Sequence, residues 1–237
     1  MRRFSTSSML ATNYAAYYEG PSEWRWLSSQ DKAANIERLC HGIPHRTILD
    51  IGAGEGSTLQ RLSDRGFGET LFALEVSTSG LQAIAARGIP ALRGCVLYDG
   101  YSVPFADGAF DLVVLTHLLE HLEYPRALLY EARRVARHVF VEVPLDDTLR
   151  MRADHVWTKT GHINFYSPKT IRRLLQTCGL EIISQEITNP SLMVYRKRFG
   201  AKGVFRFLLK EIPLTVWPAA AAMVFGYHGC LLCRSAA

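Results

Sequence analysis

Two hydrophobic periods alternate along this chain. Runs that are apolar at consecutive positions recur at Ile48–Ile51, Leu71–Val76, Leu112–Leu115 and His138–Val143, as strands buried on both faces of a sheet require. Between them apolar residues return every three or four positions: Leu59 and Leu62; Leu81, Ile84 and Ala85; Leu128, Leu129, Ala132, Val135 and Ala136. Each set is one face of an amphipathic helix. A further helix, capped by Ser167 and opened by Pro168, carries Ile171, Leu174, Leu175 and Cys178 inward. Gly66, Gly68, Gly88, Pro90, Pro144 and Gly179 close the elements. Weaker strands are expected at Cys95–Tyr98, Glu181–Ile187 and His228–Arg234. Strand and helix in alternation predict an α/β fold, a mostly parallel sheet of seven strands with helices on both faces.

A helix also precedes the first strand, read from a Ser28/Ser29 cap through Ala33, Ile36, Leu39 and Cys40 to Gly42 past its end. Tyr14, Tyr17, Tyr18, Trp24 and Trp26 cluster ahead of it, and are expected to serve packing before ligand contact. Residues 1–45 therefore read as an aromatic and helical cap, and 46–237 as the main domain. The basic, Ser/Thr-rich first nine residues read as a frayed terminus rather than a transit peptide.

Two stretches exceed ordinary connections. One is the loop from Pro144 to Ser167, which contains His155, Trp157, His162 and Tyr166. The other, residues 189–226, separates the last two strands. There Lys202, Arg206 and Lys210 mark one helical face and Val204, Phe205, Leu208, Leu209 and Ile212 the other. From Ile212 to Cys233 no Asp, Glu, Lys or Arg occurs. Length alone admits a membrane span, but Pro213, Pro218, two glycines and the need for a final strand argue against one. The expectation is a lid over an acceptor site formed by 199–226, its basic stripe outward, with membrane-surface contact as the second reading.

Charge narrows the partners. The net charge of +5 would suit nucleic acid, yet seven of the 27 Lys/Arg and one of the 22 acids (Glu211) fall in 189–237, leaving the rest near neutral. Cys40, Cys95, Cys178, Cys230 and Cys233 are an odd set among apolar neighbours, read as reduced thiols of a cytoplasmic protein. Cys230-x-x-Cys233 lacks a second ligand pair at zinc spacing, and no metal is expected.

The chemistry gathers after the first strand, in Asp50-Ile51-Gly52-Ala53-Gly54-Glu55-Gly56. Glycine serves where the backbone must take positive φ or lie against a ligand, and the helix start at Ser57 favours an anionic or accepting group there. The spacing departs from the dinucleotide fingerprint G-x-G-x-x-G, since Gly56 comes one position early. It resembles motif I of the class I S-adenosylmethionine-dependent methyltransferases. A second run, Asp99 followed by Pro104-Phe105-Ala106-Asp107-Gly108-Ala109-Phe110-Asp111 and Leu112-Val113-Val114, is similar to the same family around strands three and four. The likeness covers about 46–188 and the last strand.

The resemblance implies a Rossmann-like sheet with strand seven antiparallel between strands five and six. It implies that S-adenosylmethionine is held by Gly52, Gly54 and Gly56, with Asp50 bracing the loop, Glu75 on the ribose hydroxyls, Asp99 on the adenine amino group and His117 near the methionine end. Activity would be methyl transfer to an oxygen or nitrogen of a small-molecule acceptor, lipidic or anionic by preference. His162 and His121 are the candidate bases, since histidine titrates near neutrality. Glu120-His121 resembles the metal-binding run of ubiquinone-type O-methyltransferases, but His117 replaces its first acid. Nucleic acid is not expected as a partner, because no Asn/Asp-Pro-Pro-aromatic run follows strand four. A non-catalytic cofactor-binding or partner-binding module on the same fold is the alternative.

Overall fold

The computed structural model describes Tyr18, residues 22–151 and residues 161–235. The first nine residues, Tyr14, Tyr17, His155 and Trp157 lie outside them. Strands β1 (Thr47–Ile51), β2 (Thr70–Glu75), β3 (Leu92–Leu97), β4 (Phe110–Thr116), β5 (Ala136–Leu145), β6 (Leu180–Thr188) and β7 (Tyr227–Ser235) form one sheet in the order β3-β2-β1-β4-β5-β7-β6. Neighbours from β3 to β5 are parallel, and β7 runs antiparallel between β5 and β6. Strand order reverses between β1 and β4, so the carboxyl ends of those two strands open a crevice at the switch point.

Alternate residues of each strand feed two cores. Helices α1 (Glu23–Cys40), α2 (Ser57–Asp64) and α3 (Thr78–Ala86) join Ile48, Leu112 and Phe140 on one face through Ala33, Ile36, Leu59, Leu62 and Ile84. On the other face α4 (Pro125–Val135) and α5 (Pro168–Thr177) bring Leu128, Leu129, Ala132, Ile171 and Leu175 against Leu49, Ile51, Val113 and Val141.

Helix α1 begins at Glu23, five residues before the Ser28/Ser29 start read from sequence. Ser22 supplies the cap, its Oγ accepting from Arg25 N at 3.2 Å. Ser28 and Ser29 instead donate their hydroxyls back to the carbonyls of Arg25 and Trp26, a bond serine makes inside a helix. The earlier start puts Trp26 on the inner side, where the Arg61 guanidinium of α2 stacks over it at 3.6 Å. Strand β5 likewise runs through Pro144, the residue read as its end. Glu142 O accepts from His117 N on the β4 side, and two residues on, Pro144 faces the same side where β4 has already left the sheet. A missing N–H costs no ladder bond there.

Helices α6 (Leu192–Phe199), α7 (Lys202–Val216) and α8 (Pro218–Val224) fill the insertion. The orientation expected of it is reversed in part. Lys210 turns inward, over the Tyr227 ring at 4.8 Å, and donates to Gly226 O. Phe205, Leu208, Leu209 and Ile212 face solvent. Among the described residues that apolar side finds no partner, the buried positions of α7 being Gly203 and Leu214.

If Ser22 is the true cap, Ser22→Ala should lower stability by about 1 kcal/mol in chemical denaturation, with Ser28→Ala close to neutral. The reverse ranking would move the helix start back to Ser28.

Candidate functional site

The loop after β1 is fixed to β2 before any ligand arrives. Gly52 N and Ala53 N both donate to Leu74 O, at 2.8 and 3.1 Å. Gly52, Gly54 and Gly56 all have positive φ (75°, 59° and 76°), which only glycine adopts without strain. Space is short too: a β-carbon on Gly52 would lie 2.9 Å from Leu118, and one on Gly54 3.1 Å from the Tyr18 ring. Tyr18 therefore lies over the loop, one of the aromatics ahead of the first helix placed against the glycines.

Glu75, buried at the end of β2, is the brace of this loop. One carboxylate oxygen accepts from Gly54 N at 2.9 Å, and the other from Ser77 N and Ser77 Oγ at 3.1 and 2.9 Å. A β-carbon on Gly80 would stand 2.7 Å from Glu75 Cγ, so glycine there lets α3 start this close. Three donors leave Glu75 room for another hydrogen bond.

Asp50 does not brace the loop as the resemblance implied, because no loop N–H reaches it. It is 1% exposed, and its Oδ1 is buried with no hydrogen-bond partner. Burial pushes the carboxyl up to about 7 against the pull of Lys32, with Glu75 adding to the rise. An orphaned carboxylate oxygen at the crevice is what an ammonium-bearing ligand would satisfy. Tyr98, whose hydroxyl is also buried and unpartnered, stands near it.

Asp99 follows β3 and is largely exposed. Its carboxylate accepts from Tyr101 N, Ser102 N and Ser102 Oγ at 2.9, 2.7 and 2.8 Å. These bonds close a turn and, against the effect of burial, hold the group below the usual carboxylate range.

Beyond the crevice lies a row of histidines and carboxylates on the ends of β4, β5 and β7. His117 is the one non-glycine residue with positive φ (52°) among those described. Its Nε2 donates to Glu142 Oε1 at 3.1 Å, and its Nδ1 stands 3.3 Å from Glu120 Oε1, although no hydrogen bond lines up on either Glu120 oxygen. Burial and Lys32 push this ring toward neutrality, but the two carboxylates outweigh them and raise it above the ordinary histidine value. Glu142 also takes Asn35 Nδ2 at 3.0 Å and has His228 Nδ1 at 3.3 Å. Despite burial, His117 and His228 keep it well below the usual range.

His121 and His162 come together as candidate bases, ring centroids 5.0 Å apart. Asn164 arranges this, donating to Leu119 O and Leu122 O at 3.1 and 2.6 Å and so tying the loop to the 3₁₀ turn Leu119–His121. His121 Nδ1 donates to Gly161 O at 3.1 Å, as a carbonyl can only accept. His162 Nδ1 donates to Asp146 Oδ2 at 3.2 Å, a bond that holds Asp146 below its usual range. In either neutral ring the lone pair is then on Nε2. His117, Glu142 and His228, and separately Glu120, His121 and His162, bring donor atoms within 4.8 Å of one another, the composition of a divalent-metal site.

Sequence reading missed Lys32, Glu142 and His228. The acid inside Val139-Phe140-Val141-Glu142-Val143 was a usable signal, since a carboxylate in a central strand must find a buried partner. Lys32 had none, because only the docking of α1 brings its charge to bear on Asp50, His117 and His228.

A doubly wound sheet with a glycine loop at its switch point, an acid closing β2 and an orphaned carboxylate beside them defines a nucleoside-cofactor-binding α/β protein. The methyltransferase domain model matches residues 24–185, and the chain belongs to that family, the class I S-adenosylmethionine-dependent methyltransferases. It is 26% identical over 191 residues to ajmaline N-methyltransferase of Rauvolfia serpentina, covering 70% of this chain and 65% of that protein. To malonyl-[acyl-carrier protein] O-methyltransferase of Geobacter sulfurreducens it is 29% identical, covering 51% of this chain and 47% of the relative. The chain thus spans less than two thirds of these relatives. Among solved structures, the [4+2]-cyclase SpnF matches with a TM-score of 0.66 at 18% identity, covering 97% and 92% of the two chains. The geranyl diphosphate C-methyltransferase of Streptomyces coelicolor A3(2) matches at 0.66 and 13%, covering 97% and 100%. These two likenesses speak for the fold.

The residues present fit S-adenosylmethionine: Gly52, Gly54 and Gly56 would lie against its methionine and ribose, Glu75 would face the ribose, and Asp50, with its orphaned oxygen, would answer the ammonium. Glu75→Ala should weaken binding of S-adenosylhomocysteine by about 1.5 to 3 kcal/mol; an unchanged affinity would remove Glu75 from the site. Asp50 gives a pH test. Its carboxyl is raised from 3.8 to about 7, so the unliganded protein should lose stability as pH rises through that window. An ammonium ligand needs the ionised form, and calorimetry should show affinity falling toward about tenfold per unit below pH 7. Asp50→Asn should remove both dependences.

Proposed function

We propose that this chain transfers a methyl group from S-adenosylmethionine to an oxygen or nitrogen of a small-molecule acceptor held over the carboxyl ends of β4 and β5. The observation that carries this reading is the His162–Asp146 pair beside His121, on the same edge of the sheet as the cofactor cradle. The bound cofactor would supply a methyl already activated on a sulfonium. The protein's task is then to align the acceptor, exclude water and take up the acceptor's proton. Asp146 orients His162 through Nδ1 and stabilises the imidazolium formed when Nε2 takes a proton, the logic of an oriented base. His121 is the second candidate. Burial holds its ring below the ordinary value against the pull of Glu120, which keeps it neutral and able to accept a proton. His117 has its Nε2 bonded to Glu142 and its Nδ1 facing Glu120, so both ring nitrogens face carboxylates and it is not a candidate base.

Two named relatives act, by their names, on a nitrogen and on an oxygen, which supports the two acceptor atoms proposed. The test is to incubate the protein with labelled S-adenosylmethionine and fractionated metabolites, following product by mass spectrometry. Once an acceptor is found, His162→Ala should lower kcat by roughly 10²- to 10⁴-fold. With His121 as the working base, kcat at saturating donor should rise with pH and level off, its midpoint below 6.5. Near-normal turnover in both His162→Ala and His121→Ala would leave positioning alone as the mechanism. Cofactor binding with no product from any fraction would favour a binding module on this fold.

A further inference from the structure

We infer that the outward face of α7 and α8 docks on an anionic lipid surface, the protein lying on the bilayer. Along α7 the exposed apolar residues follow the helical period: Phe205 is 70% exposed, Leu209 50%, Ile212 60% and Val216 75%. Trp217 (72%), just past α7, and Met223 (55%), on α8, are exposed as well. Side chains of this size are rarely left in water as one contiguous patch without a partner to cover them.

The charge around the patch selects the partner. Lys202 and Arg206 are exposed along one edge of the stripe, and the Arg206 guanidinium rests over the Phe199 ring at 4.3 Å. Glu211, the only acid between residues 189 and 237, lies on the opposite edge, its carboxylate accepting from Asn189 at 3.1 Å. An apolar stripe edged by cations fits acyl chains below and anionic headgroups beside it. A second copy fits less well, because a two-fold interface would cover the stripe but bring Lys202 and Arg206 no acid from this segment other than Glu211, which Asn189 engages. Spanning is excluded for the described helices, none of which is long and apolar enough to cross a membrane.

The inference does not rest on methyl transfer, and its test needs no turnover. The full chain is floated with phosphatidylcholine vesicles made with and without phosphatidylglycerol. The expected result is flotation with the anionic vesicles, falling as salt is added, and about fivefold weaker for each of Lys202→Ala and Arg206→Ala. The triple variant Phe205→Ser/Ile212→Ser/Trp217→Ser should lose flotation while keeping the melting temperature, since all three side chains are exposed. No flotation with anionic vesicles overturns the proposal, as does flotation untouched by the triple variant or equal on neutral vesicles. A concentration-dependent dimer that the triple variant abolishes, without flotation, would give the face to a second copy instead.

Discussion

Two carboxylates with no exposed surface, Glu120 and Glu142, face one imidazole. Burying an isolated carboxylate costs so much that the group would sooner protonate. His117 resolves this by presenting one nitrogen to each, and to do so it takes a backbone conformation that a histidine rarely adopts. Much at the acceptor end of the crevice follows from that arrangement. Glu142 draws in Asn35 from α1 and His228 from β7, linking three elements far apart in sequence. The turn carrying Glu120 is the one Asn164 clasps, and that clasp brings His162 beside His121.

The cofactor end has a different logic. Backbone, not side chains, shapes it: three glycines with positive φ, held by Leu74 O and Glu75. Glu55 then fastens the surroundings. It is 6% exposed and pairs with Arg25 of α1 at 2.7 Å and with Arg87, just past α3, at 3.0 Å. The first helix is thereby tied both to the loop, through Glu55, and to the acceptor end, through Asn35. Displacing α1 would disturb the glycine loop and the histidine–carboxylate cluster together.

How much of this was legible follows from what each feature depends on. The sheet could be read because burial on both faces forces apolar runs of strand length, and all seven strands lie within three residues of the positions read. The glycines could be read because nothing else fits their backbone. Asp50 and Glu75 could be read as acids at strand ends, but which of them braces the loop depends on where the Gly54 N–H points, a matter of tertiary geometry. Asp99 shows the limit from the other side, its carboxylate engaged by its own turn, which Ser102 three residues on would have allowed one to guess. Lys32 could not be read at all, since a lysine on a helix is ordinary until the helix is docked.

The orientation of the insertion was misjudged in part, for a physical reason. Helical spacing shows that apolar and basic residues occupy two faces, but not which face meets the protein. Gly203 decided it: its α-carbon lies so close to the Tyr195 carbonyl that a side chain would collide, and this seats α7 on α6 with Phe207 and Leu214 inward. Lys210 falls on that inner side. Burial there lowers it to about 8, with Asp146 pulling the other way. Asp146 is the same carboxylate that orients His162. One helix thus presents an unpartnered apolar stripe outward and, through its single inward lysine, bears on the carboxylate behind the candidate base.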